Sequence, residues 1–209
     1  MVIRAEKRTI RGVGEHELSD GNVVRILEMT EESQYDDKAL NEIWDLRPVE
    51  KQWIKIHGEE VAIPRRQKAY GRDYAFAGQT SKADPTPPVL LPYLQWAQTN
   101  ICSELNGLLL NWYDGKLKEY IGAHHDDSRQ LMPETPIVTV SLGEDRIFRL
   151  SRYEFMEGKL RPVEHVDTVV YSGSAIEIPL TTNSAWKHSV PNFVRYKGRR
   201  MSITLRSFQ

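Results

Sequence analysis

The sequence holds a single cysteine, Cys102, so no internal disulfide is available and a reducing compartment fits. A closed structural zinc site, which takes four ligands and usually several thiolates, is disfavoured for the same reason. No apolar run approaches the roughly 18 residues needed to span a bilayer. Met1 to Glu17 is charged from the start and lacks the apolar core of a secretory signal. These absences predict an intracellular protein with no membrane association, cytoplasmic or, in a eukaryote, nuclear. Net charge is also missing, because 28 basic residues meet 29 acidic ones. The chain as a whole does not attract a polyanion, and any nucleic-acid contact must come from a local basic surface. No internal repeat or low-complexity tract is evident.

What is present is an ordinary globular balance, 40% hydrophobic and 27% charged over 209 residues, which predicts one domain spanning 1–209. Residues 1–20 read as an edge strand or a loose arm. Asn22 to Met29 is rich in branched residues and predicts a strand. In Asp36 to Leu46 the apolar Leu40, Ile43 and Trp44 fall at helical spacing behind acids in the first turn, which predicts a short amphipathic helix. Gln52 to Ile63 alternates on both sides of His57-Gly58-Glu59, which predicts a hairpin with His57 at its tip. Pro87 to Leu105 predicts a helix with a buried stripe of Leu90, Leu91, Leu94, Ala97 and Ile101. From Gly107 onward short apolar runs alternate with polar turns: Leu108 to Tyr113, Ile137 to Leu142, Ile147 to Leu150, Val166 to Ser172, Ser174 to Ile178, Ala185 to Val190 and Arg200 to Arg206. The fold class is α+β, mainly β, with a C-terminal sandwich and the N-terminal helices packed on one sheet.

Two features carry chemistry. His124-His125-Asp126-Asp127 follows a predicted strand, and His188 lies in a later one. Two imidazoles and one carboxylate make a facial triad that leaves one side of Fe(II) open. On spacing alone the pair is either His124 with Asp126 or His125 with Asp127. The second feature is the run Arg-Met-Ser-Ile-Thr-Leu-Arg, in which a period of two puts Arg200, Ser202, Thr204 and Arg206 on one face. Two guanidinium groups facing a core are costly unless an anion pairs with them.

Seven motifs in order are similar to the AlkB family of oxidative dealkylases. They are Pro-Arg-Arg-Gln-x-x-Tyr-Gly (Pro64 to Gly71), Tyr-x-Phe-x-Gly (Tyr74 to Gly78), Asn-x-Tyr (Asn111 to Tyr113), His-x-Asp (His124 to Asp126), Pro-Ile-Val-x-Val-Ser-Leu-Gly (Pro136 to Gly143), Trp-x-His-x-Val-Pro (Trp186 to Pro191) and Arg-x-x-x-x-x-Arg (Arg200 to Arg206). The resemblance implies a double-stranded β-helix, or jelly-roll, with Fe(II) held by His124, Asp126 and His188, and His125 pointing away. It implies that Asn111, Tyr113, Arg200 and Arg206 bind 2-oxoglutarate, with Arg200 and Tyr113 at the distal carboxylate. The implied reaction uses O2 to convert 2-oxoglutarate to succinate and CO2 while an alkyl carbon is hydroxylated. Where that carbon sits on nitrogen, the product collapses to aldehyde and free base.

Residues 50–80 are then a substrate lid, with Tyr74 and Phe76 contacting a base that has His124 on its other side. Arg65 and Arg66, with Lys68 and Arg72, supply positive charge at the mouth for a phosphate backbone. Two departures from the family bear on substrate. Ser128 stands where base-specific members often carry an acid, with Asp127 expected to point elsewhere, and the hairpin tip has Glu59 and Glu60 in place of a bulky wedge. The expected substrate is an alkylated nucleobase in single-stranded DNA or RNA. The alternatives are a peptide, amino acid or small metabolite, or a binding module without turnover.

Overall fold

The computed structural model describes residues 5–30, 35–56, 58–76 and 78–209. Among these, two β-sheets face each other as a jelly-roll. The strands are β1 (Glu6–Thr9), β2 (Gly14–Glu17), β3 (Val23–Glu28), β4 (Trp53–Ile56), β5 (Glu59–Ala62), β6 (Arg66–Tyr70), β7 (Tyr74–Phe76), β8 (Gln79–Ser81), β9 (Gly107–Asp114), β10 (Ile121–His124), β11 (Ile137–Gly143), β12 (Arg146–Met156), β13 (Lys159–Val170), β14 (Ser174–Ile178), β15 (Trp186–Val190) and β16 (Arg199–Arg206). The helices are α1 (Asp37–Asp45), α2 (Leu91–Asn100) and α3 (Leu180–Ala185). One sheet runs β1-β13-β12-β15-β10, the other β2-β3-β14-β11-β16-β9-β6. Hairpins β4-β5 and β7-β8 stand apart from both. No helix among the described residues is long and apolar enough to cross a membrane.

The longer sheet is covered on both faces, which explains why β9 and β16 are buried almost throughout. Its outer face presents Leu108, Leu110, Trp112, Val138, Val140, Met201, Ile203 and Leu205 to Ile43 and Trp44 of α1 and to Tyr93 and Ala97 of α2. Trp112 Nε1 donates to the Ile43 carbonyl at 2.9 Å and ties α1 to β9. On the inner face Leu109, Ile137 and Ile176 meet Phe148, Leu150, Val166 and Trp186 of the shorter sheet. Side-chain alternation on β16 thus sends its apolar residues to the helices and Arg200, Ser202, Thr204 and Arg206 into the cleft between the sheets.

Several boundaries differ from expectation. The helix predicted from Pro87 to Leu105 is a 3-10 turn at Pro88–Leu90 followed by α2, which ends at Asn100. The tighter turn shifts the helical phase, so Tyr93 is buried and Leu91 exposed. Strands β12 and β13 extend well beyond their buried cores as a hairpin whose outer half mixes Glu154, Lys159 and Arg161 with exposed Phe155 and Leu160, so no buried face marks it in the sequence. Helix α3 has poor helix formers in Thr-Thr-Asn-Ser and departs from the sequence expectation. Residues 6–9 and 14–17 are edge strands of the two sheets, while His57 lies outside the described residues.

Candidate active site

A cavity of about 500 Å³ opens between the sheets, and the two free-standing hairpins border it through Ile54, Tyr74 and Phe76. Strand β10 pairs with β15 so that His124 stands opposite His188. Asp126 follows β10 and is buried. The Nε2 atoms of His124 and His188 lie 3.6 and 3.8 Å from Asp126 Oδ1. Ligand atoms of the three residues all fall within 4.8 Å of one another. His125, expected to point away, is exposed and lines the cavity, but it takes no part in that cluster, so the geometry favours the His124-x-Asp126 register.

Each member of the cluster is held by its surroundings. His124 Nδ1 faces the Gly122 carbonyl at 2.8 Å, which as a donor leaves Nε2 free to ligate. Asp126 keeps Oδ1 for the imidazoles because Oδ2 accepts from Arg206 Nε at 3.0 Å and Nη2 at 2.5 Å. Burial opposes ionisation of Asp126, but Arg206 and the two imidazoles more than offset it and hold the carboxyl well below its usual range. His188 stacks on Phe148 at 5.7 Å and 10°, and burial pushes its imidazole down to about 3. Asn183 of α3 accepts from the Asp126 amide and donates to its carbonyl.

Further along the cleft Arg200 is wholly buried. Its Nε donates to Ser141 Oγ at 3.1 Å and its guanidinium lies 5.0 Å from the Tyr113 ring centre. Its Nη1 and Nη2 are buried without a hydrogen-bond partner. An isolated buried cation with two idle donors is costly, and a carboxylate is the group that would satisfy both. The donor set likewise fits Fe(II), since two imidazoles and a carboxylate on one side leave room for an oxygen-donor chelator. Asn111 accepts from Arg65 Nε at 2.8 Å.

The profile of the 2OG-Fe(II) oxygenase superfamily matches residues 25–206. The chain belongs to that superfamily. It is an AlkB-like member, and Fe(II), 2-oxoglutarate and O2 are the superfamily's cofactor and co-substrates. The mouse protein DNA oxidative demethylase ALKBH2 is 34% identical over 163 residues, covering 73% of this chain and 65% of its own length. The human protein of that name is 33% identical over 159 residues, covering 73% and 60%. The chain therefore spans less than two thirds of the length of these curated relatives. The solved structure of OsALKBH1 covers 92% of this chain and 99% of its own with a TM-score of 0.53 at 13% identity, a likeness of fold.

The remaining predicted residues fall differently around this AlkB-like centre. Tyr74 and Phe76 line the cavity with rings stacked at 5.7 Å and 15°. Arg65 lines it too, but is buried and occupied by Asn111 and by Gln67 at 2.7 Å. Arg66 does not line the cavity, because strand alternation puts it on the other face, where it pairs with buried Glu119 at 2.9 Å. Lys68 is paired with Asp84 at 2.8 Å. Of the basic cluster expected at the mouth, Arg66 and Lys68 are thus neutralised by acids and Arg65 is buried against amides, while Arg72 is exposed. Asp127, expected to point away, lines the cavity, paired with Arg129; Ser128 is exposed and does not line it.

Further cations without an ion pair among the described residues lie on two neighbouring segments. The turn after β9 carries exposed Lys116 and Lys118, and the loop after β15 carries exposed Arg195 and Lys197. The two segments touch, with Gly115 N donating to the Gly198 carbonyl at 2.9 Å. They leave the cavity wall at Ile121 and Val190, which are paired across β10 and β15. Sequence reading missed this surface because its charges are spread over two segments far apart in the chain. It also missed Asn183 and Phe148, which lack any distinctive local pattern, and the role of Ser141, which lies within the Pro136 to Gly143 motif but is brought to Arg200 only by the sheet.

Proposed function

We propose that this protein is an Fe(II)- and 2-oxoglutarate-dependent dioxygenase that oxidatively removes alkyl groups from nucleobases in DNA or RNA. The observation that carries the cofactor reading is Arg200, a buried guanidinium with two unpartnered donors in the same cleft as the His124, Asp126 and His188 cluster. Those three residues would hold iron. Bound there, iron supplies the chemistry that couples decarboxylation of 2-oxoglutarate to hydroxylation of a C–H bond. Arg200 and Tyr113 would take the distal carboxylate, with Asn111 on the same wall. Arg206 keeps Asp126 ionised and oriented, and Phe148 holds the His188 ring in place.

The substrate reading draws support from the name carried by the mouse and human relatives, DNA oxidative demethylase. Phe76 and His124 supply aromatic walls for a flat base on a cavity of suitable size. The cations without an ion pair at 116–118 and 195–197 offer phosphates the charge that Arg66 and Lys68 do not. A nucleic-acid substrate would place the protein in the cytoplasm or nucleus.

The test is succinate and formaldehyde production by Fe(II)-reconstituted protein given 2-oxoglutarate and O2, alone and with N-methylated single-stranded DNA or RNA. Stimulation by an oligonucleotide with matching formaldehyde is the expected result. Turnover that no oligonucleotide accelerates would reassign the substrate to a peptide or metabolite, and absence of any succinate would remove the oxygenase reading.

A further inference from the structure

Beneath Arg200 lies a second fully buried guanidinium, Arg146, at the start of β12. Every nitrogen of Arg146 has an acceptor. Nε donates to Glu144 Oε2 at 3.1 Å, Nη1 to the Glu119 carbonyl at 2.9 Å, and Nη2 to the Gly198 carbonyl at 3.4 Å. Its guanidinium sits 5.0 Å from the Tyr196 ring centre and 5.8 Å from that of Tyr113. Tyr113 is the ring that Arg200 also faces. The order Tyr196, Arg146, Tyr113, Arg200 therefore runs as an alternating ladder of rings and cations into the cleft.

Glu144 completes the corner. Besides Arg146, it accepts the amides of Lys197 and Gly198 through Oε1, both at 2.7 Å. Arg146 thus joins three segments behind Tyr113 and Arg200, which line the cleft: the end of β9, the 115–120 turn, and the loop before β16. It also neutralises Glu144, which follows Gly143, the register partner of Arg200, and donates its amide to the Arg199 carbonyl at 2.8 Å. Without Arg146, the Glu144 charge would have no cation opposing it.

We propose that Arg146 is a positioning residue for the co-substrate: through Tyr113 it fixes the pose of Arg200, and by masking Glu144 it sets the affinity of the cleft for a dicarboxylate. The proposal rests on the reading that the cleft takes 2-oxoglutarate, and the test separates the two. The probe is glutarate, which carries both carboxylates but lacks the 2-oxo group that chelates a metal. Its dissociation constant is measured on metal-free protein by ligand-observed NMR, alongside KM and kcat for 2-oxoglutarate in the iron-loaded enzyme.

Arg146→Met should weaken glutarate binding and raise the 2-oxoglutarate KM, each by about tenfold, with kcat at saturation unchanged. Arg146→Lys, which keeps the charge, should recover most of the loss. Glu144→Gln should act in the opposite direction and tighten glutarate by about threefold, whereas a corner that was only scaffolding would loosen and bind more weakly. Unchanged glutarate affinity in Arg146→Met, or a fall in kcat without a change in KM, overturns the proposal. Should the Met variant not fold, weaker binding in Glu144→Gln overturns it equally. Wild-type protein that binds neither glutarate nor 2-oxoglutarate would instead sink the co-substrate reading itself.

Discussion

Asn183 holds Asp126 through both sides of the backbone, accepting from the Asp126 amide at 2.9 Å and donating to its carbonyl at 3.0 Å. Both residues are buried, so removing the amide side chain strands two polar groups. Asn183→Ala should cost about 2–4 kcal/mol of stability and lower Mn(II) or Fe(II) affinity by about 10–100-fold through misplacement of the ligand. Thermal denaturation and a metal titration of the variant measure the two effects. Native metal affinity would mean that Asp126 is held by Arg206 alone.

Arg200 separates binding from stability. Burial pushes its guanidinium down to about 10, aided by the nearby charge of Arg146, and it remains a cation at neutral pH. Arg200→Met should raise the 2-oxoglutarate KM by the equivalent of about 2–5 kcal/mol. The same change removes an unpaired buried charge, so the ligand-free variant should melt no lower than wild type. A lower melting temperature with native KM would make Arg200 a structural residue.

The two adjacent histidines should behave oppositely. His124→Ala should abolish metal binding and succinate formation, while His125→Ala, at an exposed rim position, should keep most of both. Equal losses would reverse the register.

Charge reversal distinguishes the two basic regions. Lys116→Glu combined with Lys197→Glu should weaken oligonucleotide binding and flatten its dependence on log salt by about 0.7 for each single-strand phosphate that is no longer neutralised. Arg66→Glu should instead destabilise the fold, because it sets a second acid against buried Glu119. Oligonucleotide affinity that survives the double reversal places the phosphate path elsewhere.

Asp167 makes stability depend on acid. Burial raises its carboxyl, but the Arg149 fork at 2.6 and 2.9 Å and Lys7 at 3.3 Å outweigh that and hold it below its ordinary 3.8. A depressed carboxyl adds stability above its unfolded value and loses it as pH falls through the folded one. The melting-temperature gap between wild type and Asp167→Asn should be full at pH 7 and shrink below about pH 4. A gap that stays constant to pH 3 would show that the pair does not govern this response.

Legibility in the sequence followed the physics of each element. The alternation of β16 showed that Arg200 and Arg206 share a face, because a period of two survives in any sheet. That Arg206 would bond Asp126 was not readable, since it depends on a register between strands distant in the chain. Helix α1 was clear from Leu40, Ile43 and Trp44. Helix α3 was hidden, because its six residues are held by packing and not by propensity. The basic mouth around Arg66 fails for a similar reason: its partner, Glu119, is placed beside it only by the fold.

The pairing of β1 with β13 has a consequence for biosynthesis. Glu6 lies parallel to Glu164, and Thr9 to Asp167. A ribosome adding about 5–20 residues per second exposes β1 on the order of ten seconds or more before its partner is made. Until then the first strand must wait unpaired in the cell, and the edge of β13 stays open once it emerges. Closing that edge is therefore among the late steps of folding, and a nascent chain stalled before residue 170 would display β1 as a free strand to any chaperone nearby.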